Sequence, residues 1–148
     1  LKSVPGMKQN KLTLSIMDNV FGICKLDPGS EIPAWAYEGS FFSITRTPEE
    51  LSVVCPESSI QANIPEKVRE IGWKCLKVEG PLDFRLTGIL AGISRVLADN
   101  GISIFAVSTY DTDYILLREK DLKHAIKALE EAGYEIRNKI QNEIRNES

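Results

Sequence analysis

Gly101-Ile-Ser-Ile-Phe-Ala-Val-Ser-Thr-Tyr-Asp-Thr-Asp-Tyr-Ile-Leu-Leu-Arg118 decides the fold of this chain. Ile102, Ile104 and Ala106 alternate with Ser103, Phe105 and Val107 at the period of a strand, and Tyr114 to Leu117 is a second β-rich run. Between them, Ser108 to Asp113 concentrates hydroxyls and carboxylates where a tight hairpin would carry Asn-Gly or Asp-Gly. Two readings fit that chemistry. One is a loop that faces a ligand; the other is a turn held by Asp and Thr side chains bonded to their own backbone.

The flanks make the hairpin part of a module. Trp73 to Val78 reads as a strand and Pro81 to Arg85 as a connection. Ile89, Leu90, Ile93, Val96 and Leu97 recur at helical spacing, and Asn100-Gly101 is a helix stop. Beyond the hairpin, Asp121 stands where it can cap a second helix with the apolar face Leu122, Ala125, Ile126 and Leu129, and Gly133 ends it. Tyr134-Glu-Ile-Arg137 returns as a last strand. The order β-α-β-β-α-β predicts an α+β, ferredoxin-like fold, an antiparallel sheet with its helices on one face.

The N-terminal half repeats part of that layout. Leu12, Leu14 and Ile16 alternate as in a half-buried strand, and Val20 to Leu26 suggests another. Pro33 to Tyr37 reads as a short helical turn. Phe41 to Thr45 and Leu51 to Cys55 are two more strands, joined by Arg46-Thr-Pro-Glu-Glu50. Residues 42–57 can be laid without gaps on residues 104–119, so that Thr47 meets Thr109, Val53 and Val54 meet Ile115 and Leu116, and Glu57 meets Glu119. The shared layout of strand, acidic turn and apolar strand predicts two related modules. Residues 8–62 form the first, with reduced helices; residues 68–137 form a second, more complete one; residues 138–148 are a polar tail, where the even spacing of Ile136, Ile140 and Ile144 leaves a helical extension open.

Composition narrows the classes of function. The 148 residues are 43% hydrophobic, enough to fill a core, and the formal net charge of -3 is spread along the chain without a basic stripe for nucleic acid. No apolar run approaches the roughly 20 residues that cross a bilayer, and no leader is recognisable, so a cytoplasmic protein without membrane contact is expected. Cys24, Cys55 and Cys75 are dispersed in apolar runs and read as buried, reduced thiols. A zinc site would need a ligand set, whereas the one histidine, His124, falls on the polar side of the second helix. Neither a nucleophile elbow, a phosphate-cradling glycine loop nor a histidine-based triad occurs, so no cofactor, metal or catalytic residue is expected.

The strongest constellation is a pair of loops, Gly80 to Ile89 and Ser108 to Asp113, which this topology can bring together. A helix start near Thr87-Gly88-Ile89 offers free backbone N–H groups and the positive end of the helix dipole, which favour a carboxylate. Asp111 or Asp113 could hold an ammonium by a charge-assisted hydrogen bond. Together they match a free amino acid. The structural alternative assigns Thr87 to helix capping, Gly88 to close packing and the aspartates to turn bonds.

Residues 78–117, from Val78-Glu-Gly-Pro-Leu-Asp-Phe-Arg-Leu-Thr-Gly-Ile89 through the hairpin, closely resemble ACT domains, in particular small proteins with paired ACT modules. The same stretch is similar to the ACT repeats of aspartate kinase and of cytosolic arginine sensors. Phe41-Phe-Ser-Ile-Thr-Arg46 and Leu51-Ser-Val-Val-Cys-Pro-Glu57 look like the first module of such a pair. The resemblance implies ferredoxin-like modules that pair side by side and bind small allosteric effectors, commonly amino acids, at the interface. Carried onto this chain, the ligand-binding positions are Thr87, Gly88, Ile89, Thr109, Tyr110, Asp111 and Asp113. The implied partners are a free amino acid or similar small ligand, a second copy of the chain in a homodimer, and a separate regulated enzyme. Residues and resemblance together point to a non-enzymatic, amino-acid-binding regulatory protein. The alternative is an oligomerisation or protein-interaction module with a degenerate pocket. An enzyme using Asp111 and Asp113 as a carboxylate pair is disfavoured, because no histidine, nucleophile or metal cluster accompanies them.

Overall fold

The structure, a computed structural model, describes residues 12–80 and 87–138. The connection expected at Pro81 to Arg85 and the tail beyond Asn138 lie outside the described residues. In chain order the elements are β1 (Thr13–Ile16), β2 (Phe21–Leu26), β3 (Ser43–Arg46), β4 (Leu51–Pro56), β5 (Arg69–Val78), α1 (Ile89–Asp99), β6 (Ile104–Ser108), β7 (Asp113–Arg118), α2 (Leu122–Glu131) and β8 (Glu135–Asn138), with single 3-10 turns at Ala34–Tyr37, Glu57–Ser59, Glu66–Val68 and Glu119–Asp121. They fall into two compact units, one drawn from Leu1–Asp18 and Cys75–Ser148, the other Asn19–Lys74.

In the C-terminal unit the strands follow the order β6-β7-β5-β1-β8. Without β1 this is the ferredoxin-like order, with α1 and α2 as the two crossovers. β1 stands between β5 and β8. It is antiparallel to β5, with Leu14 opposite Val78 and Ile16 opposite Leu76, and parallel to β8, with Leu14 opposite Ile136. A strand that the sequence placed with residues 8–62 therefore pairs inside the C-terminal unit. The physical reason is simple. Alternation of Leu12, Leu14 and Ile16 announces one buried face but not which sheet covers it. Here the face joins a core of Leu14, Ile16, Leu76, Val78, Ile93, Leu97, Ile102, Ile115, Leu117, Ala125, Leu129 and Tyr134.

Helix α1 buries Ile93 and Leu97 on its apolar stripe. Its N-cap is Gly88, whose φ of 78° is left-handed and costs glycine little. A Cβ built there would meet nothing within 4 Å, so conformation and not close packing calls for glycine. The helix stops as its sequence indicates: Asn100 Nδ2 donates to Val96 O at 2.8 Å, Gly101 has φ 70°, and Ile102 N donates back to Leu97 O at 2.9 Å. Helix α2 starts differently from expectation. Asp121 makes no side-chain cap hydrogen bond and has φ -95° and ψ -4°. It closes the 3-10 turn Glu119–Asp121, so it lacks the extended backbone from which an N-cap carboxylate reaches the following N–H groups.

The N-terminal unit has the order β3-β4-β2-β5, using the first part of β5, where Phe21 lies opposite Trp73 and Cys24 opposite Arg69. Its core is Cys24, Trp35, Ala36, Leu51, Val53 and Cys55, and the turn Ala34–Tyr37 covers it where the other unit has a full helix. The second crossover is likewise reduced to the turns around Glu57–Ser59 and Glu66–Val68. All three cysteines are free and buried, as their apolar settings indicate.

Candidate functional site

The repeat seen in the sequence is realised as two hairpins with the same register. β3 pairs with β4 as Ser43–Val54, Ile44–Val53, Thr45–Ser52 and Arg46–Leu51; β6 pairs with β7 as Phe105–Leu116, Ala106–Ile115, Val107–Tyr114 and Ser108–Asp113. The turns match bond for bond. Thr47 N and Thr109 N donate to Glu50 O and Thr112 O, both at 2.8 Å. The Thr47 and Thr109 hydroxyls donate to the same carbonyls at 3.4 and 3.1 Å and accept from Glu50 N and Thr112 N at 3.1 and 3.3 Å. Threonine at the first position thus closes each turn from both sides, an ST-type device.

The C-terminal turn is also tied to the end of β5, because the Thr112 hydroxyl donates to Val78 O and is buried there. This brings Lys77, Gly80, Thr109, Asp111, Thr112 and Tyr114 around a cavity of about 240 Å³. Strand alternation explains the lining. Lys77 is opposite Ser15 and lies between Leu76 and Val78, whose side chains enter the helix-covered core, so Lys77 points to the other face. Tyr114 precedes core residue Ile115 and emerges on the face of Lys77. Asp113 shares its row with Ile115 and Leu117 instead, on the helix side, and its Oδ1 accepts from Ser108 Oγ at 2.6 Å.

The structure thus separates the residues singled out above. Thr109 and Asp111 line the cavity; Thr87, Gly88, Ile89, Tyr110 and Asp113 are not among its lining residues. Thr87 and Gly88 are exposed at the start of α1, Ile89 packs partly into the core, and Tyr110 projects from the turn at 81% exposure. Of the other lining residues, Gly80 and Thr112 belong to the two loops named above without being singled out, and Lys77 and Tyr114 lie outside both loops. Lys77 carried a legible signal, a cation on the penultimate position of an apolar strand. Electrostatically the cavity offers both signs. Lys77 Nζ lies 3.9 Å from Glu79 Oε2 with both side chains more than a third exposed, a pairing weak enough to yield to a ligand carboxylate. Asp111 is exposed at the turn tip. Among the described residues no group of three or more His, Cys, Asp or Glu could hold a metal ion, and no helix is long and apolar enough to cross a membrane.

Fold and site define a ferredoxin-like α+β protein with a small polar cavity at its strand ends. Residues 68–131 match the family model of the ACT domain, and the chain carries such a domain there. A second model, described as an N-terminal domain, matches residues 19–66, nearly the whole N-terminal unit. The cytosolic arginine sensor for mTORC1 subunit 1 of Bos taurus is 33% identical over 99 residues, 60% of this chain and 30% of the sensor; the chain therefore spans 30% of the length of that relative. The crystal structure of a protein from Agobacterium tumefaciens is 41% identical, covers 87% of this chain and 94% of its own, and superposes with a TM-score of 0.79. The regulatory subunit of aspartate kinase from Thermus thermophilus shares the fold at 11% identity, with a TM-score of 0.58 over 80% of this chain and 96% of the subunit.

Proposed function

We propose that this chain is a non-catalytic regulatory protein that binds a free amino acid in the cavity at the ends of β5 and β7. The observation that carries the reading is the co-lining of one 240 Å³ cavity by Lys77 and Asp111. A zwitterion needs a cation for its carboxylate and an anion for its ammonium, and charge-assisted bonds to both are the strong ones. The size fits a ligand below the roughly 300–1,000 Å³ of drug-sized pockets. In this reading Lys77 holds the carboxylate, Asp111 the ammonium, and the Thr109 hydroxyl and Tyr114 ring flank the side chain. The match of residues 68–131 to the ACT domain model, a relative named as an arginine sensor, and the fold shared with a kinase regulatory subunit support a regulatory output. The partners in this proposal are a regulated enzyme and a second copy of the chain, in the cytoplasm.

Calorimetry of the whole chain against each protein amino acid tests this. At least one should bind, and raise the melting temperature by stabilising the folded state. Lys77→Ala and Asp111→Asn should each weaken binding about tenfold to hundredfold, the loss of one charge-assisted bond. If no amino acid binds the wild type, the reading fails and an assembly module replaces it.

A further inference from the structure

We infer that the N-terminal unit carries a second amino-acid site, built on the twin turn from Lys25, Thr47, Glu49 and Ser52. The inference rests on the reading of the Lys77–Asp111 cavity and extends it to the N-terminal unit. The chemistry of the lining is repeated position by position. Thr47 closes its turn with the same hydrogen bonds as Thr109. Glu49 stands at the turn position of Asp111, exposed in both cases, and its own N–H is held by the Thr47 hydroxyl at 3.2 Å. Ser52 is opposite Thr45 as Tyr114 is opposite Val107, so a hydroxyl occupies the place of the phenol. Lys25 is the penultimate residue of β2, as Lys77 is of β5. It lies opposite Ser52 in the β2–β4 register, and so on the same face as that hydroxyl.

A lysine, a carboxylate, a threonine and a hydroxyl in one arrangement are more than a structural turn requires. The turn needs only Thr47. Lys25 and Glu49 are exposed, so both charges are accessible to a ligand. The loop after β2 is also fixed in place. The Arg46 guanidinium donates to Pro28 O and, at 2.7 Å, to Ser30 O. Because Arg46 shares its row with Leu51, on the core side, it orders that loop without entering the face of Lys25 and Ser52. Glu49 carries the same charge as Asp111 and Ser52 a hydroxyl as Tyr114 does, so this site takes the same zwitterionic class.

The test is a titration of the full 15N-labelled chain with each protein amino acid, following backbone amides, with calorimetric stoichiometry alongside. The expected result is two equivalents per chain. Amides of residues 47–52 should shift as well as those of residues 109–114. Lys25→Ala and Glu49→Gln should each remove the shifts at 47–52 and reduce the stoichiometry to one, while Lys77→Ala removes the other set. Both Lys25 and Glu49 are exposed, so unchanged circular dichroism is expected of the variants. One equivalent, abolished by Lys77→Ala and untouched by Lys25→Ala, overturns the second site and leaves the first standing. No binding at all overturns both.

Discussion

Two aspartates separated by one residue have opposite surroundings, because a strand turns successive side chains to opposite faces and a turn tip obeys neither. Asp113 is committed to Ser108 at 2.6 Å on the helix side, whereas Asp111 lines the cavity. Asp113→Asn should therefore leave amino-acid affinity within about twofold. It should cost about 1 kcal/mol of stability by weakening one hydrogen bond, measured by urea denaturation. A tenfold loss of affinity in Asp113→Asn would move the ammonium site to the helix side. The buried thiols give a second consequence. Burial, with Cys24 and Glu38 adding to it, pushes the Cys55 thiol up from 9.0 to about 12. The folded state thus favours the protonated thiol. Its contribution is complete below pH 9 and is lost as pH rises from 9 toward about 12, since the unfolded chain ionises first. Burial raises Cys24 and Tyr134 in the same direction. The melting temperature should fall through that alkaline range, and Cys55→Ala should fall less steeply over it. Equal slopes in the two proteins would remove Cys55 as the source.

At the scale of elements, the two hairpins are near copies, and their equivalence can be measured. Thr47→Ala and Thr109→Ala each delete one hydroxyl that donates to and accepts from its own turn. Each should cost about 1 kcal/mol in chemical denaturation. A cost confined to Thr109→Ala would show that the N-terminal turn is held by other contacts. The elements themselves were legible because period is a local property. Alternation located the strands, and the spacing of Ile89, Ile93 and Leu97 located α1. The Thr47–Thr109 match located the repeat, down to the 3-10 turns at Glu57 and Glu119 that follow each hairpin. What escaped notice depends on pairing. Lys77 becomes a site residue only when β5 meets β7. Thr112, polar and within a polar turn, is buried only because its hydroxyl finds Val78 O. Asp121 looked like a cap because nothing local announces the 3-10 turn that precedes α2.

For the whole molecule, the decisive strand is β1. It comes from the far N-terminal side of the chain, yet it fills the gap between β5 and β8, and Leu14 and Ile16 lie in the same core as α1 and α2. Closing this unit therefore requires contacts between residues far apart in the chain, with the entire N-terminal unit, Asn19–Lys74, intervening. Loop-closure entropy grows only slowly with length, so an insertion of this size is tolerable provided the strand it returns is well anchored. Leu14 is that anchor: it is fully buried and pairs with Val78 on one side and Ile136 on the other. Leu14→Ala should destabilise the C-terminal unit by roughly 2–5 kcal/mol, the span measured for buried leucine truncations. Native-state hydrogen exchange gives the readout, because each compact unit can open with its own free energy. Amides of α1, α2, β6, β7 and β8 should exchange faster in the variant, while those of β3 and β4 keep the protection they have in the wild type. Equal loss of protection in β3 and β4 would show that the two units open as one cooperative body, and that the chain transmits a change in one core to the other.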